Sequence, residues 1–252
     1  MSAAALLLLA GVVAPAAQAD ADPAAALPSR VRRIVLHTLG GPFYSRPDMR
    51  FVFLPPEETL ARWRRPSFGA HWIVWTDGTL WPRHPTPGEP SAVLPPVDRP
   101  ADDAWRRRLA REAAPVYSHV QGHNTESLGI ELAHSGKSGD PLPEPQVRTL
   151  VWLLDTLLAM SGGRLTPAAI VGHKDLDREP AWTSERCASA RCAYYADDDG
   201  TAFRRRVDPP ESVFEALRAR GLDVPRGRFE GDAQLLRAEA IPAGERPRRV
   251  SP

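Results

Sequence analysis

Between residues 31 and 219 the apolar positions fall into short strand-like runs and a few stretches at helical spacing. Val31 to Leu36 (Val-Arg-Arg-Ile-Val-Leu) is an apolar run that ends at His37 and is broken by Gly40 and Gly41, which predicts a strand. Residues 57–63 read as a short helix with Glu57 and Glu58 suited to its first turn. His71-Trp72-Ile73-Val74-Trp75-Thr76 and Thr79-Leu80-Trp81 flank Asp77-Gly78, the strongest short-range signal for a hairpin. Seven prolines make 82–100 irregular, and 102–113 reads as a polar surface helix. Ser127-Leu128-Gly129-Ile130-Glu131-Leu132 is a strand with a carboxylate where an apolar residue is expected. Val147, Leu150, Val151, Leu154, Leu157 and Leu158 then recur at helical spacing, stopped by Gly162-Gly163. A strand over 168–171 runs into Gly172-His173-Lys174-Asp175, and a helix over 211–219 follows Val207-Asp208-Pro209-Pro210. A hairpin, further strands and a strongly amphipathic helix between them imply an α+β fold, a mixed central β-sheet flanked by α-helices, in one domain over 31–220.

Composition adds a compartment. In residues 1–19, Leu6 to Val13 form an apolar core too short for a membrane span, and Ala17-Gln18-Ala19 gives a small-x-small cleavage site. A signal peptide is therefore expected over 1–19, with export to the periplasm or cell wall and no membrane span once it is removed. The positively charged start usual in such signals is missing. Residues 20–30 read as a linker and 221–252 as an irregular tail. Thirty-two basic residues against 31 acidic ones give a net charge of +1, which offers no reason to expect nucleic acid or an anionic membrane as partner. A monomer is expected. The only two cysteines, Cys187 and Cys192, share one polar loop and in an exported chain are expected to form a disulfide.

Chemistry concentrates at strand ends. His37 and His173 each sit just past a buried strand, where a rigid imidazole can face a cleft. Hydrolytic zinc sites take three protein ligands and leave a position for water. Asp208, between an arginine run and two prolines, is an oxygen candidate, although a turn or helix-capping role suits it as well. Asp175, Asp177 and Asp197 to Asp199 compete for the same place. Glu131, on a buried strand, requires either an ion-pair partner or a catalytic task. His71 alternates with Ile73, so it either lines the cleft or packs in the sheet. His119 and His123 have the spacing of a helical zinc pair, but Gly122 and Asn124 argue against a helix and for cleft-wall or solvent histidines. Trp72, Trp75 and Trp81 read as core, and His84 and His134 carry no usable signal.

Five segments taken in order resemble the zinc-dependent N-acetylmuramoyl-L-alanine amidases related to phage lysozyme-type amidases and peptidoglycan recognition proteins. They are Ile34-Val35-Leu36-His37-Thr38, Ala70-His71-Trp72, Asn124-Thr125-Glu126-Ser127-Leu128-Gly129-Ile130-Glu131, Gly172-His173-Lys174-Asp175 and Arg206-Val207-Asp208-Pro209. The resemblance implies a single amidase or peptidoglycan-recognition-like domain acting on peptidoglycan or muropeptides. It implies Zn2+ held by His37, His173 and Asp208, with Glu131 and Arg206 catalytic and His71 and Asn124 on the substrate side. Two positions depart from the family: Arg206 stands where lysine is usual, and Asp208-Pro209 is followed by Pro210, not glycine. A non-catalytic peptidoglycan-binding module of the same superfamily is the alternative.

Overall fold

The computed structural model describes residues 23–39, 56–63, 69–134, 136, 142–176, 195–196, 203–204 and 208–225. Arg206, Cys187, Cys192, the expected signal peptide over 1–19 and the end of the expected tail lie outside these residues.

A five-stranded sheet forms the centre, in the order β3-β2-β4-β1-β5. Its strands are β1 (Arg33–Thr38), β2 (Trp72–Val74), β3 (Leu80–Pro82), β4 (Ser127–Leu132) and β5 (Ile170–Gly172). Strand β1 runs parallel to both β4 and β5, β2 runs parallel to β4, and β3 closes the edge antiparallel to β2. The sheet is therefore mixed, as expected. Among the described residues, two further short strands, β6 (Tyr195–Ala196) and β7 (Phe203–Arg204), pair with each other. Among the described residues, four helices accompany the sheet: α1 (Pro56–Trp63), α2 (Asp103–Ala113), α3 (Glu144–Met160) and α4 (Glu211–Ala219).

Side chains alternate across a strand, so the sequence of β1 and β4 divides the sheet into two unlike faces. Ile34 and Leu36 of β1, and Leu128, Ile130 and Leu132 of β4, join Trp72, Val74 and Ile170 in the main core. Against them pack Leu109 and Ala113 of α2, Leu150, Leu153, Leu154 and Leu157 of α3, and Val213, Phe214 and Leu217 of α4. Each fully buried aliphatic side chain contributes about 1.5–3 kcal/mol of transfer free energy, so this face carries most of the stability. The opposite face receives Val35 and His37 from β1 and Ser127, Gly129 and Glu131 from β4. Among the described residues, two small apolar clusters cover it, Val35 with Val120 and Leu176, and Ile73 with Leu60, Ala70 and Trp81.

Three segments pack more tightly than their composition suggested. Helix α2 was expected on the surface, yet it buries Glu112 along with Leu109 and Ala113. The Glu112 carboxylate accepts hydrogen bonds from Trp72 Nε1 at 2.6 Å and Arg108 Nε at 2.8 Å, which satisfies both oxygens away from water. The segment expected as a linker is also docked. Leu27 is only 4% exposed, and its amide donates to the Met160 carbonyl. The Arg164 guanidinium donates to the carbonyls of Leu27, Pro28, Ser29 and Val31, and that of Arg30 to those of Ala113, Ala114, Pro115 and Thr125. Leu222 and Val224, at the start of the expected tail, are buried in the main core.

The hairpin forms around Asp77-Gly78 as expected, with Val74 opposite Leu80. The Asp77 carboxylate accepts from the backbone N–H and the hydroxyl of Thr79, and helix α3 clamps the turn from outside. Thr149 Oγ1 donates to the Gly78 carbonyl at 2.6 Å, and the Gln146 amide donates to the carbonyls of Val74 and Ala133. Gly78 has φ +85°, and a Cβ there would lie 2.9 Å from the Pro145 carbonyl oxygen. Gly78→Ala should therefore cost roughly 1–3 kcal/mol. Urea unfolding of the two proteins measures it, and equal midpoints would show that the turn tolerates a side chain.

Candidate metal centre

The site grows out of the parallel register. His37 of β1 lies directly opposite Glu131 of β4, and Leu36 lies opposite Gly172 at the end of β5. His173 is thus the first residue beyond β5, level with His37 on the open face. A short 3-10 turn, His173–Leu176, holds it there. Asp175 closes that turn by accepting the Gly172 amide at 2.6 Å. Gly172 is needed in this place because a Cβ would meet Pro209 Cδ at 2.8 Å. The Lys174 amide donates to the Asp208 carbonyl at 2.9 Å, which pins the chain before α4 beside the end of β5.

These contacts bring His37, His173 and Asp208 together, with one donor atom from each lying within 4.8 Å of the others. His37 Nδ1 is 2.9 Å from His173 Nδ1, and each is 3.6 Å from Asp208 Oδ2. Zinc bonds of about 2.0–2.1 Å in tetrahedral geometry set donors about 3.3 Å apart. The three measured edges straddle that value. Two neutral imidazoles and a carboxylate suit a borderline divalent ion such as zinc. The chemistry and the spacing of the donors therefore fit the metal. Asp175, one competitor for the oxygen position, has an oxygen committed to Gly172, whereas Asp208 faces both imidazoles. Asp177 and Asp197 to Asp199 fall outside the described residues.

Burial alone raises the Asp208 carboxyl, but the charge and hydrogen bonding of His173 and His37 outweigh it and hold the group well below the usual carboxylate value. Glu131 is partly buried at the level of His37.

Of the remaining expected site residues, His71 and Asn124 are turned toward the protein itself. His71 is 1% exposed; its Nδ1 accepts the Gly129 amide at 3.0 Å, and its Nε2 lies 3.1 Å from the Pro115 carbonyl. A ring that accepts at Nδ1 must carry its proton on Nε2, so the tautomer is defined. Asn124 Oδ1 accepts the amides of His119 and Val120 at 2.9 and 2.7 Å, shaping the loop before β4.

His119, expected as a cleft-wall or solvent residue, is buried, and its Nδ1 lies 3.1 Å from His37 Nε2. Burial, reinforced by the neighbouring His37 and His71, pushes its pKa far below the ordinary histidine value and keeps the ring neutral. Its spacing from His123 carried no such message. The pattern Ser127-x-Gly129-x-Glu131 held a usable signal: two small residues before an acid on one face of a strand leave room for something large above them.

The chain belongs to the N-acetylmuramoyl-L-alanine amidase family: the Amidase_2 family profile matches residues 27–190, well over half of the sequence. No curated protein sequence matches it significantly. Among solved structures, it is similar to the N-acetylmuramoyl-L-alanine amidase LysC from Clostridium intestinale URNW, with 16% identity, 61% of this chain and 78% of that one covered, and a TM-score of 0.37. It is also similar to the Ph2119 endolysin from Thermus scotoductus MAT2119 bacteriophage Ph2119, at 22% identity, coverage of 59% and 75%, and a TM-score of 0.33. The N-acetylmuramyl-L-alanine amidase AmiD from E. coli, in complex with an anhydro-N-acetylmuramic acid peptide, shares 18% identity over 79% of this chain and 80% of its own, with a TM-score of 0.33. Asp208 lies beyond the segment matched by the family.

The buried histidines set an acid limit. Burial, with the positive charges of Arg30 and Arg83 adding to it against the Pro115 hydrogen bond, lowers the His71 pKa from 6.5 to about 3. Between those values the unfolded chain holds a proton on His71 that the folded protein does not, so stability falls as pH is lowered through this window. His119 acts in the same direction. In metal-free protein, His71→Gln should flatten the pH dependence of unfolding free energy by roughly 1 kcal/mol per pH unit between about pH 6 and 4. Chemical denaturation across that range tests this, and a slope equal to the parent's would remove His71 from the account.

Proposed function

We propose that this chain is an exported, zinc-dependent enzyme that cleaves the amide joining the lactyl group of N-acetylmuramic acid to L-alanine in peptidoglycan or its muropeptides. The observation that carries the reading is the convergence of His37, His173 and Asp208, with Glu131 opposite His37 in the sheet register. A signal over 1–19 leaves a mature chain that starts near Asp20 and keeps the packed residues 24–30. The enzyme acts as a monomer, its amidase domain spanning 31–220 with Leu27, Leu222 and Val224 of the flanking segments packed into its core, and its Cys187–Cys192 loop closed by a disulfide.

His37, His173 and Asp208 would hold the zinc. When bound, the ion supplies a Lewis acid that polarises the scissile carbonyl and acidifies water. Glu131 accepts a proton from the attacking water as its oxygen forms a bond to the carbonyl carbon. It delivers that proton to the alanine nitrogen as the carbon–nitrogen bond breaks, so the products are a free lactyl carboxylate and a peptide amine. Arg206 precedes Asp208 by two residues and stabilises the oxyanion with its fixed charge.

Two measurements test these assignments. Purified protein should contain about one zinc per chain, and His37→Ala or His173→Ala should abolish this; full zinc content in both variants would overturn the ligand set. Glu131→Gln should keep the zinc and lose about 10²–10⁴-fold in peptide release from muropeptides. Arg206→Ala should lose about 10²-fold or more, while Arg206→Lys should retain activity. Undiminished cleavage by Glu131→Gln would make Glu131 structural. A zinc-loaded parent that binds peptidoglycan but releases no peptide would establish the binding module instead.

A further inference from the structure

We propose that His119 is a positioning residue that fixes which nitrogen of His37 is free to bind the metal, through a one-way hydrogen-bond chain ending on backbone. The chain begins at the far end. The His123 carbonyl can only accept, and Ser127 Oγ lies 2.6 Å from it, so the Ser127 hydroxyl donates there. Ser127 Oγ is therefore left to accept from His119 Nε2, 3.1 Å away. A neutral imidazole with its proton on Nε2 presents a bare Nδ1, and His119 Nδ1 faces His37 Nε2 at 3.1 Å. His37 thus carries its proton on Nε2 and keeps its Nδ1 lone pair, the nitrogen that faces His173 and Asp208. Every donor and acceptor in the chain has one assignment.

The sheet is cut to admit this chain. A Cβ on Gly129 would come within 2.7 Å of His119 Nδ1 and 2.8 Å of its Cγ, so only glycine lets the ring lie against β4 there, level with Val35 and within reach of His37 Nε2. The two imidazoles meet edge to face, with ring centroids 5.3 Å apart and an interplanar angle of 79°. The loop that carries His119 is tied down by Asn124 at its amide and by Ser127 at its ring.

The inference rests on His37 being a metal ligand, and the experiment separates the two. An asparagine amide reaches the position of the histidine Nδ1, whereas a glutamine amide reaches that of Nε2. His119→Asn therefore keeps an acceptor for His37, and His119→Gln keeps only the Ser127 side. Chelator competition on folded protein should show zinc affinity reduced about 10- to 100-fold in His119→Gln, the usual effect of losing such a support. His119→Asn should stay close to the parent. The visible spectrum of the cobalt-substituted protein should shift in His119→Gln and be restored in His119→Asn, which a merely structural role would not do. His37→Ala is the control. If it loses zinc while both His119 variants bind as the parent does, the positioning role is overturned and the ligand set stands. If His37→Ala binds zinc normally, the ligand reading itself falls. Should His119→Gln fail to fold, Ser127→Ala, which frees His119 to take its other tautomer, should lower zinc affinity; an unchanged value there overturns the proposal as well.

Discussion

The position of β1 between two parallel neighbours is the constraint on which the rest depends. Parallel pairing locks residues level with one another across the sheet, and a slip of one residue would turn every side chain to the other face. Because Leu36 is held opposite Ile130 and Gly172, His37 is held opposite Glu131 and beside the exit of β5. The interaction that enforces this register is apolar. Ile34, Leu36, Leu128 and Ile130 share one core with residues of α3 and α4, and a slip of one residue would turn them away from it. The site is thus placed by burial on the face opposite to its own.

That division explains how polar groups are tolerated so close to the core. Glu112, His71 and His119 are all withdrawn from water, and each meets hydrogen-bonding atoms of the protein. The neutral histidines serve as two-ended connectors whose proton positions are dictated by backbone groups. A charged side chain in their place would carry a desolvation cost that the surrounding backbone could not offset.

Most of the fold was legible because its elements are strongly patterned. The α3 stripe, the Asp77-Gly78 hairpin and the 211–219 helix each appear close to their expected bounds. His37 and His173 were legible as strand-end histidines, and Asp208 through its flanking residues and the family resemblance. The depth of α2 and of residues 24–30 was not, since Glu112 and Leu27 are buried by distant partners, Trp72 and Met160, that no local pattern announces. His71 does share a face with Ile73, as its alternation implied. What local sequence could not supply was the Pro115 loop that closes over it. His119 escaped for a related reason: its neighbours on β1 and β4 are remote in sequence, and its own loop has no period.

Arg30 bears on where this chain can be shortened. Its guanidinium gathers the carbonyls ending α2 with those of Pro115 and Thr125, and Pro115 is also the group that His71 faces. Domain boundaries are commonly drawn at the first strand, here Arg33. A fragment begun there would lack the guanidinium that gathers both flanks of the 114–125 loop, and with it a brace for the segment bearing His119. For protein engineering, the amino-terminal edge of the working unit lies before Leu27, in residues that a sequence reading would discard as a spacer.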